Sequence, residues 1–156
     1  MLRTSVPLID ASGRRSYSDI MTTRQWIFDP EHGGTTIPAE KRVLVAERIE
    51  KYAQKHYAGK FTNLNIRFRG ALCYIDAYTA PPQLLDKRAT KAEQRLVPTG
   101  PPELIHLCRL RHFSLDRWSL AFFSYSDERY HSCAFNDGKI FGTPEGAFDV
   151  GAVYLE

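Results

Sequence analysis

No stretch of this sequence is long and apolar enough for a membrane span. The first twenty residues carry Arg3, Arg14 and Arg15 and hold no continuous hydrophobic core of the kind a signal peptide needs. There is no phosphate-cradling glycine loop, so nucleotide chemistry has no foothold, and there is no internal repeat or low-complexity tract. Cysteine is scarce. Cys73, Cys108 and Cys133 are odd in number and each lies inside a strand-like run, which fits reduced thiols packed in a core better than a disulfide framework. These absences lead to the expectation of a cytoplasmic protein with no membrane association and no cofactor.

What is present suits one ordinary globular domain. The 156 residues can bury one sizeable core, with an apolar share of 43% and a charged share of 25%. A formal net charge of +3 permits an acidic partner without requiring one.

Residues 1–24 are polar and without periodicity and read as a flexible arm, with Met21 as a second possible start. Trp26, Ile27 and Phe28 in QWIFDP form an apolar plug suited to docking on the domain of residues 25–156. From Pro38 to about Tyr57 the pattern turns helical, with Val45, Ile49, Tyr52 and His56 on one face and Lys41, Glu47, Lys51 and Lys55 on the other.

Alternating runs at Thr62 to Phe68, Ala71 to Thr79, Leu104 to His112, Trp118 to Tyr125 and Arg129 to Phe135 read as strands, with a short sixth near Lys139 to Phe141. A turn at Arg69-Gly70 would pair Phe68 with Ala71 and Ile66 with Cys73, and a turn at Asp127-Glu128 would pair Phe122 with Cys133. Residues 80–102 are a proline-bracketed excursion with room for two or three helical turns. Thr143-Pro144-Glu145 starts a short C-terminal helix. The fold class is therefore α+β: an antiparallel meander of five to six strands, one long helix on one face and a short C-terminal helix.

The registers sort the side chains. Leu64, Ile66, Phe68, Cys73, Ile75, Cys108, Leu110, Trp118, Leu120, Phe122, Cys133 and Phe135 form a core face. Arg67, Tyr74, Tyr78, Arg109, Arg111, Phe123, Tyr125 and Tyr130 share the second face, provided the loop between His112 and Trp118 has an odd number of residues. An even loop would bury two guanidiniums beside Trp118, which is costly.

Arginine and tyrosine on a sheet face suit a protein partner or a homodimer interface, and are also the recipe for single-stranded nucleic acid. The same face could be covered by the chain's own excursion. Because no RNP-like motif is present, nucleic acid is not the favoured partner, and non-catalytic protein binding is the leading function.

Two catalytic or metal constellations compete with that reading. His106-x-Cys108 with His131-x-Cys133 has zinc-ligand residue types. An intervening strand would hold the two pairs about 9–10 Å apart, so no metal site is expected. His106, Ser124 and His131 would be cross-strand neighbours if the loop before Trp118 has five residues. A histidine beside a hydroxyl is the minimum for a hydrolase, but no oxyanion loop, nucleophile elbow or orienting carboxylate accompanies it.

The segments RFRGALCYIDAYT (Arg67 to Thr79), LCRLR (Leu107 to Arg111), DRWSLAFFSYSDERY (Asp116 to Tyr130) and FGTPEGAFDVGAVYL (Phe141 to Leu155) resemble a family of uncharacterised bacterial proteins. The resemblance runs from about Gln25 to Glu156, implies a bacterial intracellular origin and supplies no catalytic or ligand residue.

Overall fold

The computed structural model describes residues 32–156 apart from positions 89 and 94. The expected arm and the QWIFDP plug lie outside the described residues.

Helix α1, Ala39–His56, follows Pro38 and buries Val45, Ile49 and Ala53, a stripe at intervals of four that faces one side only. Strands β1 (Asn63–Arg69), β2 (Leu72–Thr79), β5 (Glu103–Ser114), β6 (Arg117–Ser124) and β7 (Arg129–Cys133) then form an antiparallel sheet in the order β1-β2-β5-β6-β7. A sixth short strand, β8 (Phe141–Gly142), pairs with β6. Helix α2, Pro144–Gly151, starts as its sequence demands: Pro144 is at the first position and the Thr143 hydroxyl accepts from Gly146 N–H at 3.2 Å. A 3-10 turn, Ala152–Leu155, ends the chain. The α+β architecture expected from the sequence is thus the observed one.

Both helices contribute to one core with the sheet. Ala147, Phe148 and Ala152 join Ile49, Ile75, Leu110 and Trp118 in it. Helix α2 makes a close approach to the sheet, since a Cβ on Gly151 would stand 2.9 Å from Leu107 Cβ and 3.0 Å from its carbonyl. Arg48 buckles the layers together. Its guanidinium donates to both oxygens of Asp116 in the β5–β6 turn (2.7 and 3.1 Å) and both of Glu145 in α2 (2.7 and 2.8 Å). Tyr52 of α1 and Tyr57, the residue that caps its C-terminus, both donate to Asp149 of α2, at 2.8 and 2.7 Å.

Several local expectations are corrected. The first hairpin turns at Gly70-Ala71, because Gly70 supplies the positive φ of 59° that the tight turn needs. Phe68 therefore pairs with Cys73 and Ile66 with Ile75, a two-residue slip that keeps every side chain on its expected face. The β6–β7 turn slips likewise, pairing Leu120 with Cys133 and Phe122 with His131. Residues 80–102 contain no helix among the described residues. Instead β3 (Gln83–Leu85) pairs with β4 (Leu96–Pro98) as a separate two-stranded hairpin, with Leu84, Leu85 and Leu96 exposed at 62%, 55% and 56%. Lys41 does not lie on the solvent face of α1. It reaches the carbonyl of Leu115 and Nε2 of the buried His112.

The decisive irregularity is in β5. Ile75 pairs with Cys108 and Asp76 with His106, so Leu107 is an extra residue on its strand. Strict alternation would send either Leu107 or Cys108 away from the core. The bulge lets both be fully buried, and turns His106 to the second face.

Candidate functional site

His112 pairs with Trp118, leaving five residues between them, an odd loop. Arg109 and Arg111 consequently pair with Ala121 and Ser119 on the side of the sheet away from Leu110 and Leu120. The second face is then read as rows. Arg67, Tyr74, Arg109, Ala121 and Ser132 form one row straight across five strands. Arg69, Leu72, Arg111 and Ser119 form the next.

The aromatic residues make a connected floor. Tyr130 meets Tyr74 edge-on at 5.6 Å and Phe123 at 5.1 Å, and Phe123 meets Tyr125 at 5.0 Å. Over that floor lie guanidiniums, Arg67 at 5.1 Å above the Tyr74 ring and Arg109 at 5.0 Å above Tyr130. Burial pushes the Tyr130 hydroxyl well above its ordinary pKa, and Tyr125 is raised for the same leading reason. Both stay neutral hydrogen-bonding groups at neutral pH.

Beneath this layer is a buried carboxylate. Asp76 is fully buried on β2. Its Oδ1 accepts from Nδ1–H of His106 at 2.8 Å and its Oδ2 from Arg67 at 2.9 Å. A buried carboxylate is tolerable only when its oxygens are satisfied by charged or polar donors, which these two bonds do. The His106 ring also tilts against Phe123 at 4.7 Å, and the Tyr125 hydroxyl accepts from its backbone N–H at 2.8 Å. Asp76 thereby fixes the ring with Nε2 as its other nitrogen, for which no hydrogen-bond partner occurs among the described residues.

Of the eight binding residues expected from the sequence, Arg67, Tyr74, Arg109, Phe123, Tyr125 and Tyr130 meet in this one cluster. Tyr78 lies further along β2, paired with Asn63 and Leu104, and its carbonyl accepts from Thr62. Arg111 is turned to the segment before α1 and donates to Gly33 O at 3.0 Å. Sequence reading missed two members: Asp76, which was not among the expected binding residues, and His106, which shares the parity of Cys108 and so was set on the core side. The adjacent pair Leu107-Cys108, two apolar residues in an alternating strand, is the signal that could have exposed the bulge.

The proposed row of His106, Ser124 and His131 does not form. His106 points to the second face, whereas His131 pairs with Phe122 and bonds Asp127 at 2.7 Å. Ser124 contacts Ser126 at 3.0 Å, and Ser126 donates to Asp127. Ser124 and His131 thus share a turn network without a nucleophile–base bond between them. The cysteines are free, and no metal-holding group of three or more His, Cys, Asp or Glu occurs among the described residues. Burial raises the Cys73 thiol to about 12 and Cys108 well above its usual value, which leaves both protonated. No helix among the described residues is long and apolar enough to cross a membrane.

No family model matches the chain, and no match was found among the curated proteins or the solved structures compared with it.

Proposed function

We propose that this protein is a non-catalytic binding module that docks another protein chain through the Arg/Tyr face of its sheet. One observation carries the reading: Arg67 and Arg109 are laid over the faces of Tyr74 and Tyr130. A guanidinium held over an aromatic floor has less rotamer entropy left to lose on binding, and arginine with tyrosine is a pairing favoured in protein interfaces. The same geometry argues against base stacking, which needs an open ring face. Tyr74 and Tyr130 have theirs occupied.

The β3–β4 hairpin adds support. Two isolated strands with three exposed leucines are marginal in water, and an exposed apolar patch of this kind marks contact with another molecule.

The test is affinity capture from the source cells with wild-type protein and with Arg109→Ala, followed by measurement with the purified partner and with a nuclease-treated arm. The proposal expects a protein partner, insensitive to nuclease, whose affinity falls by about tenfold or more in Arg109→Ala. Capture that depends on nucleic acid, or a partner indifferent to Arg109, contradicts it.

A further inference from the structure

Among the described residues, strand β1 is the outer strand of the sheet, bonded on one side to β2, and its seven residues run without a bulge. A regular open edge of this length is a template for an added strand unless something blunts it. Among the described residues its protection is slight: the Leu64 N–H is taken by the side chain of its neighbour Asn63 at 2.9 Å. Along the same strand, Arg67 and Arg69 alternate onto the second face, pairing with Tyr74 and Leu72 of β2. Their Cα atoms are two residues apart on one strand, about 7 Å. Arg67 is half exposed, with one N–H committed to Asp76, and Arg69 is exposed. Arg109 extends the positive row inward from Arg67.

We infer that the partner adds a β-strand to the open edge of β1 and carries acidic side chains at alternate positions, which face Arg67 and Arg69. Resting on the protein-docking reading above, this names the partner's chemistry and its place. The spacing is the reason. An extended segment with Asp or Glu at positions i and i+2 presents carboxylates about 7 Å apart on one face, the repeat at which β1 presents its arginines. Backbone bonds to the edge supply affinity irrespective of sequence, and the carboxylate–guanidinium pairs set the register. A second copy of β1 is a poorer occupant, because a full-length antiparallel β1–β1 pairing would set Arg67 and Arg69 opposite Asn65 and Asn63, which offer them no carboxylate.

The probe is an eight-residue fluorescein-labelled peptide of alternating Glu and Thr. It is compared with a block peptide of the same composition, an alternating peptide N-methylated on one edge, and an eight-nucleotide single strand. Anisotropy at low salt is expected to show binding of the alternating peptide, weakened by about tenfold for the block peptide and lost on N-methylation. Arg69→Glu, at an exposed position and checked for the wild-type amide spectrum, is expected to weaken binding by about the same factor, while amide shifts on binding concentrate in Asn63–Arg69. No binding of the alternating peptide, equal binding of the block peptide, indifference to Arg69→Glu, or tighter binding of the oligonucleotide overturns the inference. If a captured protein partner is lost with Arg109→Ala yet kept with Arg69→Glu, the docking reading stands and the edge assignment fails.

Discussion

Asp76 and His106 face each other across β2 and β5 with 2.8 Å between Oδ1 and Nδ1, a contact that exists only because the bulge at Leu107 turns His106 off the core side. Asp76 also holds Arg67 from below, so one buried carboxylate organises a guanidinium and an imidazole of the second face.

Removing that carboxylate leaves a neutral amide beneath the Arg67 guanidinium and takes one acceptor oxygen away. Asp76→Asn is expected to cost about 1–3 kcal/mol in urea unfolding. Arg67→Ala leaves Oδ2 of the buried Asp76 without its donor and is expected to cost about 1–3 kcal/mol as well, and the double variant to cost less than the sum of the two. Strictly additive costs would contradict the central place given to Asp76.

Helix α2 rests on the bulge through Gly151, where a methyl group would meet Leu107 at 2.9–3.0 Å. Gly151→Ala should therefore destabilise by about 1–3 kcal/mol, although alanine is the better helix former. A neutral or stabilising result in thermal unfolding would contradict the contact.

Leu115 adopts φ of 45° with its side chain exposed, held there by Lys41 and His112, which bond its carbonyl. A left-handed conformation costs a branched residue about 1–2 kcal/mol, more than glycine loses in chain entropy. Leu115→Gly is expected to stabilise the fold by up to about 1 kcal/mol, read from the urea midpoint.

Stability should fall at both ends of the pH scale for identifiable reasons. Hydrogen bonds from Arg48 hold the Asp116 carboxyl below its ordinary value. Its contribution is therefore complete above the unfolded pKa near 4 and is lost as pH falls through the lowered folded value. Burial raises Tyr57 to about 12, helped by its bond to Asp149, and raises Cys73 to about 12. Those contributions are complete below about 9 and are lost as pH climbs toward 12. Arg48→Met should flatten the acid limb and Tyr57→Phe the alkaline one, as measured by urea midpoints across pH.

Much of this was legible from alternation alone. The strands, the helix stripe of Val45 and Ile49, the Thr143-Pro144 helix start and the sorting of Arg109 and Arg111 away from Trp118 all follow from periodicity and the cost of burying guanidinium. A two-residue register slip at Gly70 or Glu128 preserves faces, so those errors were harmless to the site. The bulge at Leu107 shifts parity by one. That single residue misplaced His106, hid its bond to Asp76 and created a catalytic row with His131 that does not form. The β3–β4 hairpin was illegible because its strands are three residues each and face no core, so no hydrophobic pattern announces them.

The central claim, that the Arg/Tyr face is the surface that meets another protein, is tested most directly by a photo-crosslinking residue at Tyr125, which is 49% exposed on that face, against one at Leu44, 60% exposed on α1. The account predicts a protein adduct of discrete mass from position 125 in the source cells, absent from position 44 and abolished by adding Arg67→Ala with Arg109→Ala. Adducts from both positions alike, adducts to nucleic acid, or an adduct that survives the arginine substitutions would contradict it.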